Sequence, residues 1–249
     1  MKRFHFLACA GLLATLAACG KSEQAAPPAA DALERMKQAG SDAGLAAEIK
    51  QRTVSAASLP QADRATPEGS YIPVDSGAQL AYLYYAVSGL PVDYEKLAGI
   101  VSQDYRRTSN AFKKQELLDA LKPKIDQQIA TFRQNRYVVI DTHYQLDHID
   151  MASKTFPLRG LPATDSYIYY QDSADYKLAL TNGDAFAKYQ AASDAQAREL
   201  ENLVENYQAR GAARVYLYAQ DTDLNAQLVR FQAVKVKLLG EDGKQIAQM

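Results

Sequence analysis

The sequence predicts an α+β fold: N-terminal helices followed by a largely antiparallel sheet with one long helix inserted. Three observations predict it. Between Tyr71 and Phe132 apolar residues recur at helical spacing, and from Arg136 onward they alternate at the period of a strand. A capped helical stretch from Asp194 to about Arg210 then interrupts the strands. No internal repeat is visible, and the folded part reads as one α+β domain over 71–249.

In the helical half, Leu80, Leu83, Tyr84 and Val87 fall at i, i+3, i+4 and i+7, one apolar face. Gly89 and Pro91 end that helix, and Asp93 is placed to cap the next. Its Leu97, Ile100 and Val101 lie close together, with Tyr105 a turn further on. Leu118, Leu121, Ile125, Ile129 and Phe132 form a third stripe, expected to break or kink at Pro123.

In the strand half, Val138, Ile140, Tyr144 and Leu146 alternate with Asp141, His143, Gln145 and Asp147, the pattern of a half-buried strand. Further strands are expected at 166–171, 176–181, 213–219 and 228–239, with a turn at Asn182-Gly183. Ser193 and Gln196 form a capping box for the inserted helix, and Gly211 is its expected stop. Asp242-Gly243 is a hairpin signal near the end of the chain.

The chain begins Met1-Lys2-Arg3, followed by an apolar run from Phe4 to Ala18. A basic stretch, a short apolar run and a small-residue exit make up a secretory signal peptide. The run falls short of the roughly 20 apolar residues that a membrane-spanning helix needs. It ends in Leu16-Ala17-Ala18-Cys19-Gly20, which resembles the lipobox of bacterial lipoproteins. The resemblance covers about the first twenty residues. It implies cleavage before Cys19, a thioether-linked diacylglycerol on Cys19 and an acylated amino group. Two or more acyl chains anchor a protein stably, at about 0.8 kcal/mol per buried CH₂. In such lipoproteins an aspartate after the cysteine signals inner-membrane retention. Gly20 and Lys21 stand there instead, which implies the outer membrane with the domain facing the periplasm, the inner membrane being the alternative.

Residues 1–18 are therefore read as signal peptide, and 19–70 as lipidated cysteine and flexible tether, with a weak helix over 31–52. That helix has few apolar residues, and Gly40 and Gly44 weaken it. A flexible tether of about 50 residues spans about 40 Å. The two cysteines are Cys9, inside the signal, and Cys19. The mature domain then holds no thiol and relies on its core rather than on a disulfide. Net charge is −1, from 28 basic and 29 acidic residues, and gives no basic excess to suggest nucleic acid.

Two groups of residues stand out chemically. Asp141, His143 and Asp147 share one strand face and are a candidate metal set or acid–base pair, although solvated charges are what the polar side of such a strand carries anyway. No zinc-protease, nucleophile-elbow, phosphate-loop or EF-hand pattern accompanies them. The second group is drawn from 16 tyrosines. Tyr167 and Tyr169 share a strand face, as do Tyr216 and Tyr218, either as stacking platforms for a glycan or peptide or as packing beneath the helices. Arg106-Arg107 and Lys113-Lys114 read as solvated helix faces.

The expectation is a membrane-anchored periplasmic lipoprotein that binds an envelope protein or peptidoglycan, or serves structurally, without catalysis and without a cofactor. The alternative is an envelope hydrolase using carboxylates or the Asp141–His143–Asp147 face. A purely structural or immunity-type lipoprotein would instead present a large exposed apolar patch.

Overall fold

A computed structural model describes residues 59–164 and 166–249. The signal peptide expected over 1–18, the lipidation expected at Cys19 and the helix expected over 31–52 lie outside the described residues. Helices and a large curled sheet make up the described part, an α+β fold. Among the described residues the helices do not come first, however. After a 3-10 turn at Glu68–Ser70, a two-residue strand, β1 (Ile72–Pro73), precedes them and pairs parallel with β2 (Tyr137–Leu146).

Helix α1 (Gly77–Ser88) starts at Ser76, whose hydroxyl accepts from the Gln79 amide, and stops at Gly89 in the left-handed region at φ 67°. Its periodicity suggested one buried face, but Leu80, Ala81, Leu83, Tyr84 and Tyr85 are all buried. A helix apolar all round belongs between two layers. One of these is α4 (Ala111–Gln134) and the other is the sheet. Between α1 and α4 lie α2 (Tyr94–Val101), capped by Asp93 as expected, and the single-turn α3 (Gln103–Arg107). Helix α4 runs unbroken through Pro123, so the break that the proline suggested does not occur. Proline removes only one intrahelical bond there. Leu118 on one side of it, and Ile125, Ile129 and Phe132 on the other, are buried and hold both halves in place.

Strand β2 alternates as predicted: Val138, Ile140, Tyr144 and Leu146 are buried on the helix side. It is followed by β3 (Thr155–Arg159), β4 (Tyr167–Tyr170), β5 (Ser173–Leu180) and β6 (Lys188–Gln190). Helix α5 (Asp194–Glu205) then leads to β7 (Arg210–Asp223), β8 (Leu228–Leu239) and β9 (Gln245–Gln248). The order across the sheet is β4-β5-β8-β7-β2-β3-β6, with β1 on β2 and β9 on β8. Pairing is antiparallel except for β1–β2 and β5–β8. Gly211 does not stop α5. The helix ends at Glu205, Tyr207 turns the chain at φ 57°, and Gly211 lies inside β7. A Cβ at Gly211 would collide with the Leu239 carbonyl oxygen, so the close approach of β8 requires glycine there. The Asp242-Gly243 turn joins β8 to β9 as expected, with Gly243 at φ 75°.

The segment before Tyr71, assigned to the tether by its composition, is fixed to the sheet from Pro60 onward. The Gln220 side chain donates to the Pro60 carbonyl at 2.7 Å, and the Ala62 amide donates to Gln232 at 2.8 Å. The Asp63 amide donates to the Tyr137 hydroxyl at 2.7 Å. This strap crosses the face of the sheet opposite α1.

Candidate functional site

On that open face the register lines up two cross-strand rows. Val139, Tyr216 and Lys235 make one; Asp141, Arg214 and Lys237 make the next. A bulge between Tyr216 and Leu217 shifts β8 by a residue and thereby sets both lysines beside Tyr216 and Arg214. The lysine ammoniums stand 5.6 and 5.8 Å from the Tyr216 ring centre.

The strap delivers Glu68 into this cationic corner. Its carboxylate accepts from Lys235 at 2.9 Å, from Lys237 at 2.7 Å and from the Tyr216 hydroxyl at 3.0 Å. Those bonds, led by Lys237 and then Lys235, hold the Glu68 carboxyl down at about 2. Next to it Tyr71 packs edge-on against Tyr216 at 5.0 Å and against Tyr137 at 5.3 Å. Burial, with smaller contributions from neighbouring Tyr137, Asp63, Tyr216 and Glu68, pushes the Tyr71 phenol up to about 12.

A groove of about 510 Å³ opens between the strap and β2–β7. It runs from Glu68, Tyr71 and Tyr216 past Arg214 and Asp141 to Asp75 and Tyr170. Tyr170 closes the far end, its hydroxyl donating to the Val74 carbonyl at 2.6 Å. Burial first, then the Asp75, Asp141 and Asp172 carboxylates, push its phenol up to about 12. A larger hollow, about 630 Å³, lies between α5 and the β8–β9 turn. Around it Lys244 pairs with Asp242 at 2.9 Å and Glu241 with Arg210 at 3.3 Å.

The residues singled out from the sequence are distributed unevenly around the groove. Asp141 lines it, held by Arg214 through two bonds of 2.9 and 3.0 Å. His143 lies two residues further along the same face, exposed and opposite Ala212. Asp147 stands beyond the end of β2 and accepts from Arg159 at 2.6 Å. The triad therefore does not assemble as a metal site: its two carboxylates are held apart by separate arginines. Among the described residues no group of three or more His, Cys, Asp or Glu side chains is placed to hold a metal ion. His148 turns toward α5 instead and meets Glu201 at 2.6 Å.

Tyr216 is buried and Tyr218 half-buried, the latter's ring 4.8 Å from that of Tyr137. The strap, not solvent, covers Tyr216, so this pair is no free stacking platform. Tyr167 and Tyr169 lie apart on the edge strand β4, 55% and 53% exposed, with the Lys177 ammonium 4.9 Å from the Tyr167 ring centre.

Sequence reasoning missed Glu68, Arg214, Lys235 and Lys237. A faint signal exists: Arg214-Val215-Tyr216 and Lys235-Val236-Lys237 each place polar side chains on one strand face around a core valine. Nothing local shows that these faces adjoin, or that Glu68 lies over them. No family model, no curated protein and no solved structure matches this chain.

Proposed function

We propose that this chain is a lipid-anchored lipoprotein of the bacterial cell envelope whose sheet domain binds another envelope component without transforming it. The anchor half rests on Leu16-Ala17-Ala18-Cys19 behind its basic and apolar leader, with Gly20 and Lys21 favouring the periplasmic face of the outer membrane. The binding half rests on one observation, the groove beside Tyr216 and Arg214. Its volume falls in the range of about 300–1,000 Å³ usual for ligand sites. Its walls offer tyrosines and fixed, paired charges. Envelope protein and peptidoglycan are the candidate partners, and neither needs a cofactor.

The hydrolase alternative asks Asp141, His143 and Asp147 to act together, and the separate arginine pairs of the two carboxylates weigh against it.

Intact mass of the membrane-extracted protein tests the anchor. Wild type is expected to carry acyl mass on a chain beginning at Cys19, and Cys19→Ala to lose it; an unlipidated wild type sinks the anchor. In-cell crosslinking at native expression tests binding. A reproducible partner is expected, whereas a blank, or activity lost in folded His143→Ala, argues for the other reading.

A further inference from the structure

Glu68 occupies its corner as a ligand would. One carboxylate is shared by two ammoniums and a phenol, at 2.7 to 3.0 Å. Of the neighbouring charges on this face, Arg214 is matched with Asp141 and Arg210 with Glu241, while Asp75, toward the Tyr170 end of the groove, pairs with no cation among the described residues. At the seat itself Lys235 and Lys237 bring one positive charge more than Glu68 neutralises. The contact is also made by a side chain alone: Glu68 sits in a three-residue turn whose backbone is not part of the sheet. It can leave without breaking a strand ladder. The groove starts at this carboxylate and continues along the strap, far larger than a single carboxylate requires.

We propose that Lys235, Lys237 and the Tyr216 hydroxyl form a carboxylate-binding seat for an acidic peptide segment of a partner, and that Glu68 fills this seat as an intramolecular occupant. A peptide is the occupant the geometry favours, because what already sits in the seat is a peptide glutamate. The groove leading from it is lined by Tyr71, Val74 and Tyr170, which suit an extended chain. Its other carboxylates do not compete for the seat. Asp141 is neutralised by Arg214, and Asp75 lies toward the Tyr170 end. Binding exchanges one carboxylate for another, so the cost of burying the lysine charges is not incurred anew. The occupied seat lowers apparent affinity by the fraction of molecules in which Glu68 is bound.

This deepens the binding reading and is independent of the anchor. The test uses the full chain in detergent and a fluorescein-labelled tetraglutamate peptide at low ionic strength, with tetraglutamine as control. Glu68→Gln is expected to bind tetraglutamate about tenfold more tightly than wild type, the gain that removing a tethered competitor gives. The gain should vanish in Glu68→Gln/Lys237→Met and be absent with tetraglutamine. Equal binding by wild type and Glu68→Gln, or a gain that survives Lys237→Met, overturns the proposal. A second measurement guards against a loosened strap: the thermal midpoint of Glu68→Ala should rise with added propionate relative to chloride at equal ionic strength. No difference between the two salts also overturns it. An unlipidated protein that still binds tetraglutamate would remove the anchor and leave the seat standing.

Discussion

Arg214 holds Asp141 across the β2–β7 ladder by two near-parallel bonds, Nε to Oδ1 at 2.9 Å and Nη2 to Oδ2 at 3.0 Å. The two residues are direct cross-strand partners, so the register itself presents the fork to the carboxylate. Both side chains are about half exposed, so the pair is worth about 1 kcal/mol. Urea denaturation should show Asp141→Asn less stable by about that amount. Arg214→Lys should lose most of it too, because an ammonium cannot form the fork. Unchanged midpoints for both variants would mean that the pair contributes nothing.

Glu68 makes stability depend on acid. Its carboxyl is lowered from 4.5 to about 2 in the folded protein, so the folded state favours the charged form. The contribution is complete above the unfolded value of 4.5 and is lost as pH falls through the folded value. Glu68→Gln is therefore expected to cost about 1 kcal/mol at neutral pH, discounted for solvent screening. The gap from wild type should narrow steadily below pH 4.5 in urea melts. A constant gap across that window would refute the assignment.

Tyr144 carries a buried hydroxyl with no hydrogen-bond partner among the described residues, on the helix side of β2. Burial pushes its phenol up to about 12. An unpartnered buried hydroxyl keeps its desolvation cost without return. Tyr144→Phe should be neutral or stabilising by up to about 1 kcal/mol by differential scanning calorimetry, and a clear destabilisation would reveal a partner.

The two glycines at Gly77 and Gly99 should respond with opposite signs to the same substitution. A Cβ at Gly77 would stand 2.6 Å from the Ser173 Cβ and 2.9 Å from the Ser173 backbone. Gly77→Ala must push α1 off β5 and should cost about 2 kcal/mol. Gly99, inside α2, has nothing among the described residues within 4 Å of an added Cβ, and Gly99→Ala should gain about 0.5–1 kcal/mol from helix propensity. Thermal midpoints moving the same way in both variants would contradict this packing.

His148 titrates above its ordinary 6.5 because Glu201 hydrogen-bonds to it and attracts its charged form. A raised value means that its contribution is present below pH 6.5 and lost as pH rises through the folded value. NMR titration of the His148 ring should show the upward shift in wild type and its collapse in Glu201→Gln. An identical midpoint in both proteins would break the pairing.

The kind of most elements is legible in the sequence because it follows from local periodicity. Leu80 to Val87, the capping residues Ser193 and Asp93, the alternation in β2 and the Asp242-Gly243 turn each act within a few residues of themselves. Short strands such as β1, β3 and β6 were illegible for the same reason: two to five residues carry too little pattern, and their partners define them. Gly211 looked like a helix stop, yet its constraint comes from the Leu239 carbonyl on a distant strand.

By itself the sequence determined the α+β class and the buried alternation of β2. Only the tertiary structure decided which charges meet. Glu68 and Lys237 are 169 residues apart, and Asp141 and Arg214 are 73 apart. A bulge at Tyr216, invisible in composition, fixes the β7–β8 register that brings the lysines to the seat. Periodicity is a property of neighbours along the chain, whereas an ion pair across strands depends on register, and register is set by the packing of the whole sheet.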